Sequence, residues 1–110
     1  MIKINIKPLS VNGAFKGRRF RTDEYRAFQK LLTLSLPNRL DVPDGKLRII
    51  FEFGLSSKNA DWDNPIKQAQ DIISKKYGFN DRRIYQGIVT KVDVAKGKEY
   101  LAFKIEKFEI

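Results

Sequence analysis

The sequence KLRIIFEF, residues 46–53, decides the fold because its apolar side chains recur at every second position. A period of two is the pattern of a strand with one buried face, since successive side chains of a strand point to opposite sides. Leu47, Ile49, Phe51 and Phe53 share that face. The segment therefore predicts a strand with one apolar face on the hydrophobic core.

A second alternating segment lies at the N-terminus, where Ile2, Ile4 and Ile6 alternate with polar residues. This pattern predicts a first strand, and Pro8 is expected to end it. Residues 10–21 follow, with an Asn-Gly pair, a further glycine and several cations. That composition indicates a loop.

Helical spacing begins after this loop. Thr22 or Asp23 can cap a helix, because either side chain can accept a hydrogen bond from a free backbone N–H of the first turn. Apolar residues three or four positions apart then predict the buried face of the helix: Tyr25, Phe28, Leu32 and Leu36. Pro37 is expected to end the helix.

A second helix and two more strands are predicted after the strand of residues 46–53. Residues 64–77 place four apolar side chains on one helical face: Ile66, Ala69, Ile73 and Tyr77. Gly78 suits the position just after a helix. Residues 84–94 and 99–109 are predicted as strands joined by a turn at Lys96-Gly97. Phe108 departs from the alternation of the last strand, which indicates a bulge or a strand end there.

The resulting order, β-α-β-α-β-β, predicts one α+β domain over residues 1–110, in which a small mixed sheet packs with two helices. The length of 110 residues is that of a single domain. A domain this small leaves much of its surface exposed, and association with a second copy would cover part of it.

The charge of the chain points to a polyanionic partner. Lysine and arginine number 22 and aspartate and glutamate 13, so the formal net charge is +9. Such an excess on a single domain favours nucleic acid as the partner. The alternative is a generally basic, soluble protein that binds no nucleic acid.

Two residue types are missing, and their absence narrows the chemistry. The chain has no cysteine and no histidine, which excludes disulfides, thiolate nucleophiles, zinc sites with cysteine ligands and catalysis by a histidine base. Carboxylates, lysine, arginine, tyrosine or an oxygen-ligated metal remain. No apolar run approaches the roughly 20 residues that span a bilayer, and the N-terminal alternation is unlike a signal peptide. We therefore expect a soluble, intracellular protein without a membrane partner.

The segment DWDNPIK, residues 61–67, carries the main chemical hypothesis. Asp61 and Asp63 lie two residues apart and would project to one side if the backbone there is extended. Two carboxylates so close repel each other unless a cation or a proton lies between them. Oxygen ligands without histidine or cysteine favour Mg²⁺ or Mn²⁺, whose bound waters can serve phosphodiester hydrolysis.

The same segment has a purely structural interpretation. Asp63 or Asn64 can cap the second helix, with Pro65 in its first turn, but this explains only one of the two aspartates. Lys67 lies one helical turn after Asp63 and could stabilise the charge of a transition state. Alternatively, Lys67 is a solvated helix lysine paired with Asp63.

A third carboxylate, Asp81, follows the second helix. Its structural alternative is a turn residue after Gly78-Phe79-Asn80. The helix between the two motifs runs back along the sheet, so the sequence leaves open whether Asp81 lies beside Asp61 within one chain.

The run DWDNPIKQAQDIISKKYGFNDRRI, residues 61–84, resembles the signature of RusA-type Holliday junction resolvases. Asp61, Asp63 and Asn64 match the first motif of that family, and Lys67 has the matching spacing. Asn80-Asp81-Arg82-Arg83-Ile84 matches the second motif, with Asn80 in place of its first aspartate and Arg83 in place of a glutamine. The opening Pro8-Leu9-Ser10-Val11-Asn12 also resembles the family.

The resemblance implies a metal-dependent endodeoxyribonuclease that resolves four-way junctions by paired symmetric nicks in DNA recombination and repair. The family's catalytic residues correspond by position to Asp61, Asp63, Asp81 and Lys67 of this chain. The resemblance implies that the three aspartates are ligands of Mg²⁺ or Mn²⁺. The resemblance further implies a homodimer, whose two-fold symmetry suits a four-way junction, and the cytoplasm of a bacterial or phage-infected bacterial cell.

A DNA-binding surface is predicted from cations near these motifs. Phe15-Lys16-Gly17-Arg18-Arg19-Phe20-Arg21 interleaves aromatic and basic residues, which can follow a distorted strand and its phosphates. The residues predicted to contact DNA are Asn12, Lys16, Arg18, Arg19, Arg21, Lys58, Arg82 and Arg83. Lys58 would replace an arginine that the family has at the position of Ala60. Trp62 can stack on a base or anchor the core, and we expect the core.

Two other functions stay open on the sequence. One is a non-catalytic module that binds branched DNA, in which the aspartates serve only as caps and turn residues. The other is a nuclease that acts on flaps or replication forks instead of four-way junctions.

Overall fold

The computed structural model describes residues 1–10, 15–16 and 20–109, and in the two short strands between residues 15 and 21 only the backbone. The elements follow in the order β1 (Ile2–Ile4), β2 (Phe15–Lys16), β3 (Phe20–Arg21), α1 (Asp23–Ser35), β4 (Leu47–Leu55), α2 (Ile66–Tyr77), a 3₁₀ turn (Asp81–Arg83), β5 (Ile84–Asp93) and β6 (Tyr100–Lys107).

Four strands form one mixed sheet in the order β1-β6-β4-β5. The central strand β4 pairs parallel with β5 and antiparallel with β6. β1 pairs antiparallel with β6. The parallel pair is possible because α2 connects the two strands as a crossover. The predicted α+β class, with a small mixed sheet and two helices, is confirmed.

Both helices cover the same face of the sheet. The core joins β4 residues Ile49, Phe51 and Phe53 with residues of α1 and α2, and the rings of Phe51 and Phe53 stack with centroids 5.1 Å apart. Leu32 of α1 and Ile73 of α2 are both fully buried. The apolar side chains that alternate through residues 46–53 therefore face the core beneath the helices. This confirms the predicted buried face of the strand.

The first helix has the predicted start. The backbone N–H of Tyr25 donates to Oγ1 of Thr22 at 3.1 Å, so Thr22 is the N-cap. At the other end, Nζ of Lys76 donates to the carbonyl oxygens of Thr33 and, at 3.1 Å, Leu36. This lysine of α2 thus compensates the partial negative charge at the C-terminus of α1 and joins the two helices.

Several predicted boundaries are wrong. β1 ends at Ile4, although Ile6 is still buried. The expected loop of residues 10–21 contains β2 and β3, which pair with each other. β4 extends to Leu55, whereas β5 and β6 end at Asp93 and Lys107. The strand end before Phe108 agrees with the lost alternation there.

The crossover sets the distance between the two sequence motifs. α2 begins at Ile66 and ends at Tyr77, and Gly78 follows in the left-handed conformation with φ 70°, as predicted. A helix of this length spans about 18 Å. The segment before α2 and the 3₁₀ turn after it therefore lie at opposite ends of the β4-α2-β5 unit. Neither described helix is both long and apolar enough to cross a membrane.

Candidate active site

Asp61 and Asp63 lie in a turn and not in extended backbone. The N–H of Asn64 donates to the carbonyl of Asp61 at 3.4 Å, and the N–H of Ile66 to that of Asp63 at 3.3 Å. We call residues 61–65 the aspartate turn. The extended backbone that would project both side chains to one side is therefore absent from this segment, because two successive turns lead directly into α2.

The capping interpretation of these aspartates is also wrong. The N-cap of α2 is Pro65, no side chain of the described residues caps the helix, and its first turn contains no acidic residue. The side chains of Asp61 and Asp63 are exposed, and within the described part of the chain they make no hydrogen bond or ion pair. Both carboxylates are therefore free to bind a ligand.

The aspartate turn itself is firmly held on two sides. Nζ of Lys91, on β5, donates to the carbonyl oxygens of Lys58 and Ala60 at 2.8 and 2.6 Å. Gln68, only 1% exposed, donates through Nε2 to the carbonyls of Leu9 and Asn64 at 2.7 and 2.8 Å. Because these carbonyls flank residues 61–63 on both sides, the backbone of the two aspartates has a defined position.

Sequence reasoning missed both of these supports. Lys91 and Gln68 contact residues 31 and 59 positions away, and no local spacing reveals such contacts. One signal could have pointed to Gln68: it is a polar residue at a buried position of α2. Among the described residues, its Oε1 is buried without a hydrogen-bond partner. Flipping the amide would point Oε1 at two carbonyl oxygens, so the observed orientation is the favourable one.

Asp61 opens onto a cleft of about 430 Å³ between the N-terminal segment and the aspartate turn. Asn64, Lys7 and two further carboxylates, Glu24 and Glu99, also line it. Sequence reasoning did not assign either glutamate to the site, because they come from α1 and from the turn before β6.

Glu99 is held in its charged form. Hydrogen bonds from its own backbone N–H, and then from the Ser56 hydroxyl, lower the pKa of this carboxyl below its ordinary value. The Ser56 Oγ lies 2.9 Å from Oε2, and the N–H of Gly97 donates to Oε1 at 2.8 Å. Glu99 therefore adds a fixed negative charge to the cleft that holds Asp61.

Lys67 does not pair with Asp63. Its Nζ lies 3.3 Å from Oδ2 of Asp71, one turn further along α2, and its side chain is 67% exposed. Asp63 precedes the helix, so the helical spacing predicted between the two residues does not apply. The ion pair is an exposed one and holds Lys67 weakly.

Asp81 stands apart from the other two aspartates. It begins the 3₁₀ turn capped by Asn80, whose side chain accepts from the N–H of Arg82 at 2.9 Å. Within the described residues, no group of three acidic side chains is close enough to hold a metal ion. Asp61 and Asp63 thus share the aspartate turn before α2, and Asp81 lies in the 3₁₀ turn after that helix.

Trp62 is 55% exposed, so the expectation that it anchors the core is wrong. Trp62 lies between the two aspartates in the sequence of the aspartate turn, and its side chain is exposed to solvent there. An exposed indole in that position is available for stacking against a base or for contact with another protein.

The predicted DNA-binding residues fall into three groups. Lys58 and Arg82 are exposed. Arg83 is half-buried, and its guanidinium donates to the carbonyls of Gly45, at 2.9 Å, and Pro43, which makes it a structural residue of the loop before β4. The remaining predictions fall outside the described side chains: Asn12, Lys16, Arg18, Arg19 and Arg21.

Comparison with known proteins leaves the family open. No family model matches the chain, and no curated protein matches it. The resemblance to RusA-type resolvases therefore rests on the motifs of residues 61–84 and 8–12.

Proposed function

We propose that the chain is a metal-dependent endonuclease of the RusA type that nicks branched DNA, with the four-way junction as its substrate in recombination and repair. The observation that carries this proposal is the aspartate turn. Asp61 and Asp63 are exposed, have no structural partner within the described chain, and stand on a backbone fixed by Lys91 and Gln68.

The donor set of the aspartate turn fits Mg²⁺ or Mn²⁺. Both ions prefer oxygen ligands, and Mg²⁺ is commonly held by one or two carboxylates while it keeps several waters. Exposed carboxylates on one turn leave room for those waters. When bound, the ion would supply Lewis acidity and lower the pKa of a water that attacks the phosphodiester.

The residues of the chain itself position the substrate. Asp61 and Asp63 would hold the ion, and the exposed Lys67 could leave its weak pair with Asp71 to neutralise charge on the scissile phosphate. Lys58, next to the turn, and the net charge of +9 favour the approach of a polyanion. Glu24 and Glu99 would keep DNA phosphates out of the interior of the cleft by repulsion.

Replacing Asp63 with asparagine tests the proposal. Asp63→Asn removes a metal ligand but no fold contact, so nicking of a labelled four-way junction in Mg²⁺ should disappear while junction binding survives. Asp44→Asn, at another exposed aspartate, is the matched control and should cut like the wild type. Normal nicking by Asp63→Asn would show that the site is elsewhere.

A second candidate is a non-catalytic module that binds branched DNA. The remote position of Asp81 favours it, because the described residues of a single chain form no group of three acidic side chains. The wild-type chain would then bind the junction and leave it intact in Mg²⁺ and in Mn²⁺.

The preferred substrate of the enzyme can be determined by comparing cleavage rates on different DNA structures. A four-way junction, a flap, a fork and a linear duplex of the same sequences are cut side by side. We expect the highest rate on the four-way junction, and a preference for the flap or fork would assign the enzyme to those structures.

A further inference from the structure

Two aromatic rings form a flat surface where β5 begins. The rings of Tyr85 and Phe108 stack with their centroids 6.2 Å apart and their planes 14° from parallel. Tyr85 is 59% exposed, and Phe108 is half-buried. We call these two residues the aromatic platform. A flat ligand that covers such rings is stabilised, because apolar area is removed from water.

A β-bulge places Tyr85 on this surface. On β4, Leu47 lies opposite Ile84 and Arg48 lies opposite Gln86, so Tyr85 is the extra residue between the two pairs. A bulge re-aims a side chain out of the regular alternation of a strand, and bulges are frequent beside active sites. The bulge therefore gives Tyr85 a position that a regular ladder between β4 and β5 would not provide.

Hydrogen bonds fix the backbone around the aromatic platform. The N–H of Phe108 donates to the carbonyl oxygen of Lys46 at 2.8 Å. The guanidinium of Arg83 donates to the carbonyls of Gly45, at 2.9 Å, and Pro43, which holds the loop that leads to Lys46. Because this backbone is already ordered, a ligand that stacks on the rings loses little free energy to ordering the protein.

Positive charge borders the aromatic platform. Nζ of Lys46 lies 4.8 Å from the centroid of the Tyr85 ring, and Cζ of Arg48 lies 5.9 Å from that of Phe108. The nearby carboxylate of Glu106 is paired with Arg48 at 3.5 Å. A shallow cleft of about 340 Å³ adjoins Tyr85, and the described residues that line it include no carboxylate and three cations: Lys46, Arg82 and Arg83.

We propose that the aromatic platform binds an unpaired strand of DNA. One base stacks on Tyr85, and Lys46 and Arg82 contact the phosphates on either side of that base. Every base has a flat face, and surfaces that bind single strands combine aromatic rings with cations in this way. An acidic peptide would match the charge of this surface but not its flat rings.

The aromatic platform lies next to the second motif of the proposed active site. Asp81 begins the 3₁₀ turn that leads into β5, and Arg82 of the same turn lines the cleft beside Tyr85. Bases of a branched DNA lose their partners most readily at the branch point, where extruding them costs least. A base held on Tyr85 would therefore bring the branch point to the scissile phosphate. This location rests on the proposed function, whereas the stacking of an unpaired strand does not.

A short fluorescein-labelled oligothymidylate is the probe for stacking, and its binding is measured by fluorescence anisotropy in EDTA. Tyr85→Leu keeps an apolar side chain but loses the ring, so affinity should fall by roughly 5- to 150-fold, the range for one stack of a base on an aromatic ring. Tyr85→Phe keeps the ring and should bind like the wild type. Leu34→Ala, which removes another exposed apolar side chain, on α1, is the control and should leave the affinity unchanged.

The salt dependence of the same binding separates stacking from charge. Lys46→Met removes a phosphate contact, so the slope of log affinity against log salt should become less steep by about 0.7, the value for single strands. Tyr85→Leu should keep the wild-type slope, because a stacked base releases no counterion. A slope reduced equally in both variants would show that Tyr85 only positions Lys46, and this would overturn the stacking.

Permanganate tests where the aromatic platform acts on a branched substrate, because it oxidises thymines whose faces are not stacked. The junction carries thymines at its branch point and is saturated with protein. The wild type should protect a branch-point thymine that stays reactive in the complex with Tyr85→Leu. Thymines within the paired arms should be unreactive in both complexes and serve as the internal control.

The outcomes separate this inference from the proposed function. Unchanged affinity of Tyr85→Leu for oligothymidylate, or no binding of this probe by the wild type, overturns the role of the aromatic platform. Binding that depends on Tyr85 without protection at the branch point keeps that role and overturns its location at the scissile phosphate. A wild-type chain that binds through Tyr85 but never nicks in Mg²⁺ or Mn²⁺ keeps the role and overturns the endonuclease.

Discussion

The ammonium group of Lys91 lies 2.6 Å from the carbonyl oxygen of Ala60, the residue immediately before Asp61. A side chain from the edge strand β5 thereby fixes the loop that leads into the aspartate turn. The contact links the sheet to the proposed chemistry, because the position of the two carboxylates depends on the backbone that Lys91 holds.

Removing this ammonium group should loosen the aspartate turn. Lys91→Met keeps the aliphatic chain but loses two charge-assisted hydrogen bonds, so the free energy of unfolding should fall by about 1–3 kcal/mol. Junction nicking should fall by roughly tenfold or more, since a small displacement of catalytic groups is costly. Denaturant unfolding and a nicking assay measure both. Lys98→Met, at an exposed lysine, is the control, and equal behaviour of the two variants would contradict the role of Lys91.

A methyl group at Gly54 should destabilise the sheet. A Cβ there would overlap Cδ1 and Cε1 of the Tyr100 ring, and moving that ring would break its hydrogen bond to Glu52, now 2.8 Å long. Gly54→Ala should lower the free energy of unfolding by about 1–3 kcal/mol. Gly87→Ala, where the new Cβ meets no atom within 4 Å, should be nearly neutral. Equal stability of the two variants would show that Tyr100 moves without cost.

The regular elements were predictable from the sequence because their periods are local. The alternation through Phe51 and Phe53 gave the buried face of β4, and the spacing of Tyr25, Phe28 and Leu32 gave that of α1. The aspartate turn was not predictable in the same way. Backbone hydrogen bonds from Asn64 to Asp61 and from Ile66 to Asp63 replace extended backbone there. Pro65 takes the N-cap position, and its side chain has no atom that could cap the helix.

The surroundings of the site could not be predicted because they depend on contacts between distant segments. Gln68 reaches the carbonyl of Leu9, and Glu99 enters the cleft of Asp61 from the far end of the chain. The exposure of Trp62 could not be predicted for the same reason. A large apolar side chain is buried only when a distant segment of the fold packs over it.

The pKa of Glu99 should depend on Ser56. Because the folded pKa is lowered, Glu99 stabilises the fold at pH values above its ordinary pKa of 4.5, and this contribution is lost as the pH falls through the folded pKa. Ser56→Ala removes one of the hydrogen bonds that cause the shift. An NMR titration of the Glu99 carboxyl should therefore show a higher pKa in the variant. An unchanged pKa would mean that the hydroxyl does not hold the carboxylate in solution.

Junction binding should weaken steeply with salt. If six or more cations of the chain contact phosphates, affinity should fall by roughly 10³-fold between about 50 and 200 mM salt, because each contact releases a counterion. Fluorescence anisotropy with a labelled junction measures this slope. Arg82→Ala, at an exposed arginine beside Asp81, should reduce the slope by about one. Binding that is insensitive to salt would contradict the use of the positive charge for DNA.

The most direct measurement of the central claim is the product pattern of the purified wild-type chain on a four-way junction labelled on each strand in turn. The account predicts symmetric nicks in two opposing strands with Mg²⁺ or Mn²⁺, no nicks with EDTA, and none with Asp63→Asn at concentrations that saturate binding. A junction that is bound but stays intact with either metal would contradict it, as would nicks that Asp63→Asn leaves unchanged.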